Sequence, residues 1–197
     1  MQALLFAIGA YLIGSISSAI IASKLFKLPD PRSVGSGNPG ATNVLRSGNK
    51  TAALFTLLGD ALKGLIPVLL AQTITGEPAV VACAAIGAFL GHLYPLYTGF
   101  KGGKGVATAL GVFLAMSPMI FAAMVVTWLV AALAFRMSSL AALLAAAVAL
   151  PCSFLFGQNI PLVGATFVIV TMLFLKHRDN IERIVAGTES KIGDKTK

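Results

Sequence analysis

The chain has 197 residues, 57% of them hydrophobic and 11% charged, against about 25% charged in a soluble domain. With a mean hydropathy of +0.88, this composition excludes an ordinary soluble domain and points to one compact polytopic membrane protein. The net charge of +8 comes without basic runs interleaved with aromatics, so a nucleic-acid partner is not expected. Cys83 and Cys152 both lie in apolar stretches. They make neither a disulfide framework nor a metal spacing, and read as small core residues.

The N-terminal run MQALLFAIGAYLIGSISSAIIASK has no Lys or Arg ahead of it. It therefore reads as a retained first transmembrane helix over 3–23, not a cleaved signal peptide. A helix needs about 20 apolar residues to cross the hydrocarbon, and 51–72 and 79–95 qualify next. The stretch 105–135 is ambiguous, and 139–156 and 161–176 follow.

Charge placement resolves the ambiguity. Lys24, Lys27, Arg32, Arg46 and Lys50 lie in the first loop, Lys101 and Lys104 in the loop near 96–104, Arg136 in a short break, and six Lys/Arg from Lys176 onward. The segments TITGEP (73–78) and GQNI (157–160) carry none. Placing every basic segment in the cytoplasm makes 105–135 cross twice. Its turn falls at Ser117-Pro118, because proline starts helices well and ends them badly. The expectation is an all-α bundle of seven transmembrane helices in a single domain over 1–197. The fourth and fifth (105–116 and 118–135) are short, the N-terminus lies outside, and 177–197 forms a cytoplasmic tail. Gly87 and Gly91 form a GxxxG that allows close helix packing.

Several polar positions stand out from this apolar background. GSGNPGATN (Gly35 to Asn43) matches the formulas of a dinucleotide fingerprint and a Walker A loop, the latter with Ala41 in place of lysine. No strand precedes it, so neither fold is expected. It reads either as a tight turn around Pro39 or as a nest of backbone N–H groups for an anion, with Ser36, Asn38, Thr42 and Asn43 as added donors. GFKGGKGVATALG (Gly99 to Gly111) sets Lys101 and Lys104 around Gly102 and Gly103 just before a helix. Its glycines favour an anion site over two plain interfacial anchors. Asp60 and Lys63 fall at i and i+3 inside the second span, as a functional or a structural charge pair. His92 closes the third span and reads as structural. In LKHRDNIERI, His177, Asn180 and Arg183 read as anion ligands or as one face of an interfacial helix.

In this order, GSGNPGATN, GFKGGKGVAT and KHRDNIERI resemble the three motifs of the bacterial acyl-phosphate:glycerol-3-phosphate acyltransferase (PlsY) family, and GDALKG and GHLYP are similar to its pattern. The tail motif usually has Glu where Asp179 stands. The resemblance runs from the first helix to about Arg183. It implies a multi-pass enzyme of the bacterial cytoplasmic (inner) membrane with its active site facing the cytoplasm. That enzyme moves a fatty acyl group from acyl phosphate to glycerol 3-phosphate, releasing 1-acyl-glycerol 3-phosphate (lysophosphatidic acid) and phosphate, as the first acylation of phospholipid synthesis. No metal or nucleotide cofactor and no obligate protein partner is implied.

On that resemblance, Ser36, Asn38, Lys104 and His177 are the expected catalytic set. Gly37, Gly40, Thr42, Asn43, Arg46, Lys101, Gly102, Gly103, Asn180 and Arg183 are the expected substrate ligands. The Ser36–Gly40 loop with Asn38 and Thr42 would cradle the acyl-phosphate head, and Lys104 would neutralise phosphate charge. Arg46, Lys101, His177, Asn180 and Arg183 are candidates for glycerol 3-phosphate, and the acyl chain would lie between membrane helices. The donor is a mixed anhydride with phosphate as a good leaving group, so positioning and charge stabilisation suffice. The hydroxyl proton goes to substrate phosphate, with His177 or Asp60 as fallback bases. The alternative is a small membrane transporter of a phosphorylated or anionic compound. A CDP-alcohol phosphotransferase would need an acidic metal motif, and Asp60 is the lone carboxylate in any expected span.

Overall fold

A computed structural model describes residues 1–193; among them lie ten α-helices and no strand. The expected tail extends beyond them, and 194–197 lie outside the described residues. In chain order the helices are α1 (Gln2–Gly14), α2 (Ser18–Leu25), α3 (Ala41–Arg46), α4 (Lys50–Ile74), α5 (Pro78–Leu93), α6 (Val106–Met116), α7 (Pro118–Phe135), α8 (Ser138–Leu155), α9 (Ile160–Lys176) and α10 (Arg178–Val185). Proline sits in the first turn of α5, α7 and α9, where its missing N–H has no intrahelical acceptor to lose. The α6–α7 break is built as the Ser117-Pro118 pair suggests: the Ser117 hydroxyl accepts from the Ile120 N–H at 3.4 Å.

By length and composition, five helical units can cross a membrane, with α1 and α2 counted together as Gln2–Leu25. The α9–α10 pair, bent by 58°, raises this to six. A seventh crossing would be α6, whose 11 residues give only ~16 Å of helix. The fifth expected span is not short: α7 has 18 residues, ~27 Å of helix, and is long and apolar enough to cross a membrane.

The first expected span departs more informatively. It is one apolar run in sequence but two helices in space, broken at Ser15–Ser17. The serines supply local alternatives to the helical ladder. Ser15 donates its hydroxyl to the Tyr11 carbonyl (2.8 Å), and Ser17 caps α2 through Ile20 N–H (3.5 Å). The break frees the Ile16 carbonyl, which accepts from Lys63 Nζ at 2.7 Å.

The bundle is built inside out relative to a soluble protein. Large apolar side chains such as Leu4, Leu58, Leu69 and Val130 face outward, while the interior is rich in Ala, Gly and hydroxyl residues. Small residues let backbones approach where no water is available to drive association. A Cβ at Gly87 or Gly91 of α5 would collide with the α1 carbonyl of Ala7 or Tyr11. A Cβ at Gly64 of α4 or Gly111 of α6 would collide in the same way with the Thr108 or Ala61 carbonyl. These crossings hold α6 against α4 and fix the loop that precedes it.

Candidate active site

The three polar stretches meet at one end of the bundle. The first contact joins the two glycine-rich loops. Gly103 lies so close to the His92 ring that a Cβ there would collide with it, and the Pro39 carbonyl stands 3.3 Å from the same point. The Gly103 N–H donates to the His92 carbonyl at 3.2 Å. Gly102 sits over the His92 carbonyl and the Pro95 ring with no room for a side chain. The loop then turns through Gly105, at φ 85°, a conformation that favours glycine. It delivers Lys104 to the N-terminus of α6.

The second contact joins the lysine loop to the tail. Lys104 Nζ donates to Asn180 Oδ1, and Asn180 Nδ2 donates to Glu189 Oε1 at 2.7 Å. Glu189 Oε2 accepts from Arg183 Nε at 2.7 Å, and Oε1 also accepts from the Ser139 hydroxyl at 2.6 Å. Arg46, at the end of α3, donates to the Ser190 hydroxyl at 2.5 Å. Thr42 Oγ1 lies 3.5 Å from Ser138 Oγ. Residues from the first loop, the lysine loop, the start of α8 and the tail thus form one polar cluster. It comprises Arg46, Lys104, Asn180 and Arg183, together with Glu189. The tail reaches it by turning back at Gly187, and Arg136 holds it there through both its carbonyl and its guanidinium on Ile192.

Four members were not singled out in the sequence: Ser138, Ser139, Glu189 and Ser190. The signals were present. Two serines open an otherwise alanine-rich helix, and GTES, beginning with Gly187, follows α10.

The electrostatics fit an anion site. Burial lowers the Lys104 pKa, and the charges of Arg183 and Arg46 lower it further, against Glu189 and Asp179. A crowd of cations with a shortfall of carboxylate would be relieved by phosphate. Burial pushes the Glu189 carboxyl up, but hydrogen bonds from Ser139, Asn180 and Arg183 outweigh it and hold the group below its ordinary value.

His177 lies at the junction of α9 and α10, buried, with Nδ1 2.8 Å from the Leu173 carbonyl. Burial takes its pKa from 6.5 down to about 4; the Leu173 carbonyl opposes this and the Lys104 charge reinforces it. It is therefore a neutral imidazole near neutral pH and a weak base, poorly matched to removing a hydroxyl proton. We expect the pH dependence of kcat/KM between about pH 5 and 8 to follow the second ionisation of the substrate phosphate, at about 6, and to keep its shape in His177→Gln. The folded pKa is depressed, so the unfolded chain alone takes up this proton as pH falls from 6.5. Stability from this group should fall across that window towards pH 4, and His177→Gln should remove that slope from a plot of melting temperature against pH. A break in the wild-type rate profile that disappears in His177→Gln would contradict the assignment.

The first loop is more self-contained than expected. The N–H groups of Ser36, Gly37 and Gly40 donate to Asn43 Oδ1, the Val34 carbonyl and the Asn38 carbonyl. Asn43, an expected substrate ligand, is buried and fully engaged: its Nδ2 donates to the carbonyls of Pro31 (2.7 Å) and Val34 (3.0 Å). It shapes the loop instead of facing a ligand. The Ser36 and Thr42 side chains are exposed and Asn38 is half-buried. Lys101 is exposed at the rim. Asp60 lies outside the cluster, in a buried ion pair with Lys63 at 2.8 Å, so it is not placed to act as a base there. Among the described residues no cluster of three or more His, Cys, Asp or Glu could hold a metal ion.

Known proteins resemble this chain along nearly its whole length. Residues 4–187 match the family described as glycerol-3-phosphate acyltransferase. A glycerol-3-phosphate acyltransferase of Thioalkalivibrio sulfidiphilus is 53% identical over 190 residues, covering 96% of this chain and 94% of its relative. Among solved structures, PlsY (YgiH), an integral membrane glycerol 3-phosphate acyltransferase, in its glycerol 3-phosphate form superposes with a TM-score of 0.93 at 41% identity. That match covers 98% of this chain and 96% of the other. The lysophosphatidic acid form of PlsY gives 0.92 at 40% identity, with the same coverage. Matched along its whole length and built of apolar helices around one polar end, the chain is a multi-pass membrane protein and belongs to the glycerol-3-phosphate acyltransferase family.

Proposed function

We propose that this chain, an acyltransferase of phospholipid synthesis acting on glycerol 3-phosphate, takes its acyl group from acyl phosphate and needs no obligate protein partner. The observation that carries the site assignment is the Lys104–Asn180–Glu189–Arg183 chain of hydrogen bonds, with Arg46 joined to it through Ser190. These cations receive the phosphate of glycerol 3-phosphate. The acyl-phosphate head lies beside them against Ser36, Asn38, Gly40 and Thr42, with Lys101 at the rim. The hydroxyl oxygen of glycerol 3-phosphate adds to the acyl carbonyl carbon and the bond from that carbon to the phosphate oxygen breaks. Inorganic phosphate leaves with the hydroxyl proton, because His177 is too weak a base and Asp60 is held by Lys63. Lys104 and the N–H groups at the start of α6 stabilise the charge that develops during transfer.

A chain of seven crossings with α6 as the fourth, N-terminus outside and C-terminus inside, sets this site at the cytoplasmic face of the bacterial inner membrane. The contacts that Arg46, Lys104 and Arg136 make with tail residues support this, since they gather the basic segments at one end. The transport reading has no separate observation in its favour.

An assay tests the reaction directly. Purified protein in detergent is given acyl phosphate with and without glycerol 3-phosphate, and lysolipid and phosphate are measured. Release of both only when the two substrates are present is expected. Phosphate release indifferent to glycerol 3-phosphate, or a demand for a thioester donor, would overturn the proposal.

The acyl chain is assigned to the groove between α1 and α4, a cavity of about 280 Å³ lined by Leu5, Phe6, Gly9, Ile13, Pro67 and Leu70. It ends one turn from the Ile16 break. A side chain at Gly9 would enter open space, so Gly9→Phe should fold and fill the groove. Its kcat/KM ratio for long-chain over medium-chain acyl phosphate is expected to fall about tenfold; an unchanged ratio would place the chain elsewhere.

A further inference from the structure

The reaction uses neither Asp60, Lys63 nor His92, yet all three are buried polar groups at membrane depth, where such groups are costly and seldom idle. Asp60 Oδ1 accepts from Lys63 Nζ at 2.8 Å and faces His92 Nδ1 at 3.7 Å. His92 Nδ1 has no hydrogen-bond partner. Lys63 also holds the Ile16 carbonyl in the α1–α2 break. On its far side the His92 ring abuts Gly103, whose N–H is held by the His92 carbonyl. A cavity of about 10 Å³ remains among Ser17, Pro39, Lys63, His92 and Gly103, which is close to the room one water needs.

We propose that Asp60, Lys63 and His92 form a positioning unit for the lysine loop, fixing the height of Gly103 and so of Lys104 against the phosphate of glycerol 3-phosphate. The mechanical logic is that of a stack. The ion pair clamps α4 to the α1–α2 break, His92 stands on the shared carboxylate oxygen, and Gly103 rests on His92 because it has no Cβ. Lys104 follows immediately. Removing the imidazole leaves a void under Gly103, and the loop can drop by the thickness of the ring's edge. Misplacement of a binding group by about 1 Å can cost two orders of magnitude in rate. The unit acts through Lys104 alone and makes no contact with the reacting atoms.

The inference rests on the assignment of Lys104 to glycerol 3-phosphate, so its test includes a binding readout independent of acyl transfer. His92→Leu, which leaves the ion pair intact, is compared with His92→Asn, which restores a donor near Nδ1. Glycerol 3-phosphate affinity is measured by calorimetry, KM and kcat by turnover, and folding by melting temperature in detergent. His92→Leu is expected to weaken glycerol 3-phosphate binding and raise its KM about tenfold, to lower kcat as well because Lys104 also serves the transition state, and to leave the acyl-phosphate KM unchanged. His92→Asn should recover most of the loss. The double variant Asp60→Leu/Lys63→Met, which leaves no lone buried charge, should show the same selective rise. Wild-type affinity in His92→Leu, or a fall in melting temperature with both KM values unmoved, would overturn the positioning role. So would His92→Asn behaving like His92→Leu. Wild-type protein that binds glycerol 3-phosphate but transfers no acyl group would instead defeat the reaction assignment and leave the binding comparison valid.

Discussion

Lys104→Ala is expected to lower kcat/KM about a thousandfold, ~4 kcal/mol of lost transition-state stabilisation. The lysine is half-buried between the lysine loop and α10, where its charge is already made costly by burial and by Arg183 and Arg46. A protein holds an ammonium in such a place when an anion repays the strain, and both substrates carry phosphate. Removing it also leaves Asn180 Oδ1 without its donor. Lys104→Gln separates the two effects, because it keeps an amide donor for Asn180 and removes the charge. If charge is what matters, Lys104→Gln should lie within about tenfold of Lys104→Ala. If orientation of Asn180 dominates, it should approach wild type. Steady-state kinetics in both substrates decide, and full turnover by Lys104→Ala would remove charge stabilisation from the mechanism.

The contrast between what the sequence shows and what it hides follows from range. Charge placement and proline signals are local or summed quantities, and they located the Ser117-Pro118 break and grouped the basic segments at one end. The KGGKG glycines were legible because glycine between two lysines has few other uses. The α1–α2 break was not read, since SISS is still apolar enough on average to pass as a continuous span. The serines break it locally, and the freed Ile16 carbonyl finds its donor in Lys63, 47 residues away. Asn43 was read as a ligand because an amide in a glycine-rich loop is an adequate donor. Only the fold reveals that Pro31, Val34 and Ser36 occupy it. Glu189 was missed for the opposite reason: nothing local distinguishes one acid in a basic tail, and its role appears only when the tail turns back on Ser139, Asn180 and Arg183.

That carboxylate carries the second large expected effect. The Ser139 hydroxyl, Asn180 Nδ2 and Arg183 Nε all donate to it, and an ionised carboxylate accepts without donating. Its side chain is 5% exposed, so water cannot easily substitute. Glu189→Gln would set an amide N–H against at least one of these donors, at a cost of about 1–3 kcal/mol for the unsatisfied group. The damage should travel. Asn180 points its oxygen at Lys104 because its nitrogen is taken by Glu189; if the acceptor is lost, the amide is free to flip and present N–H to an ammonium. We therefore expect Glu189→Gln to lower kcat/KM about a hundredfold and to lower the melting temperature as well. Saturating glycerol 3-phosphate should restore part of the melting temperature, since its phosphate offers new acceptors to Arg183 and Asn180. A melting loss that glycerol 3-phosphate does not touch would make Glu189 a fastener for the tail alone. Wild-type kinetics in Glu189→Gln would mean that Asn180 is oriented from the Lys104 side, reversing the direction in which order passes along the chain.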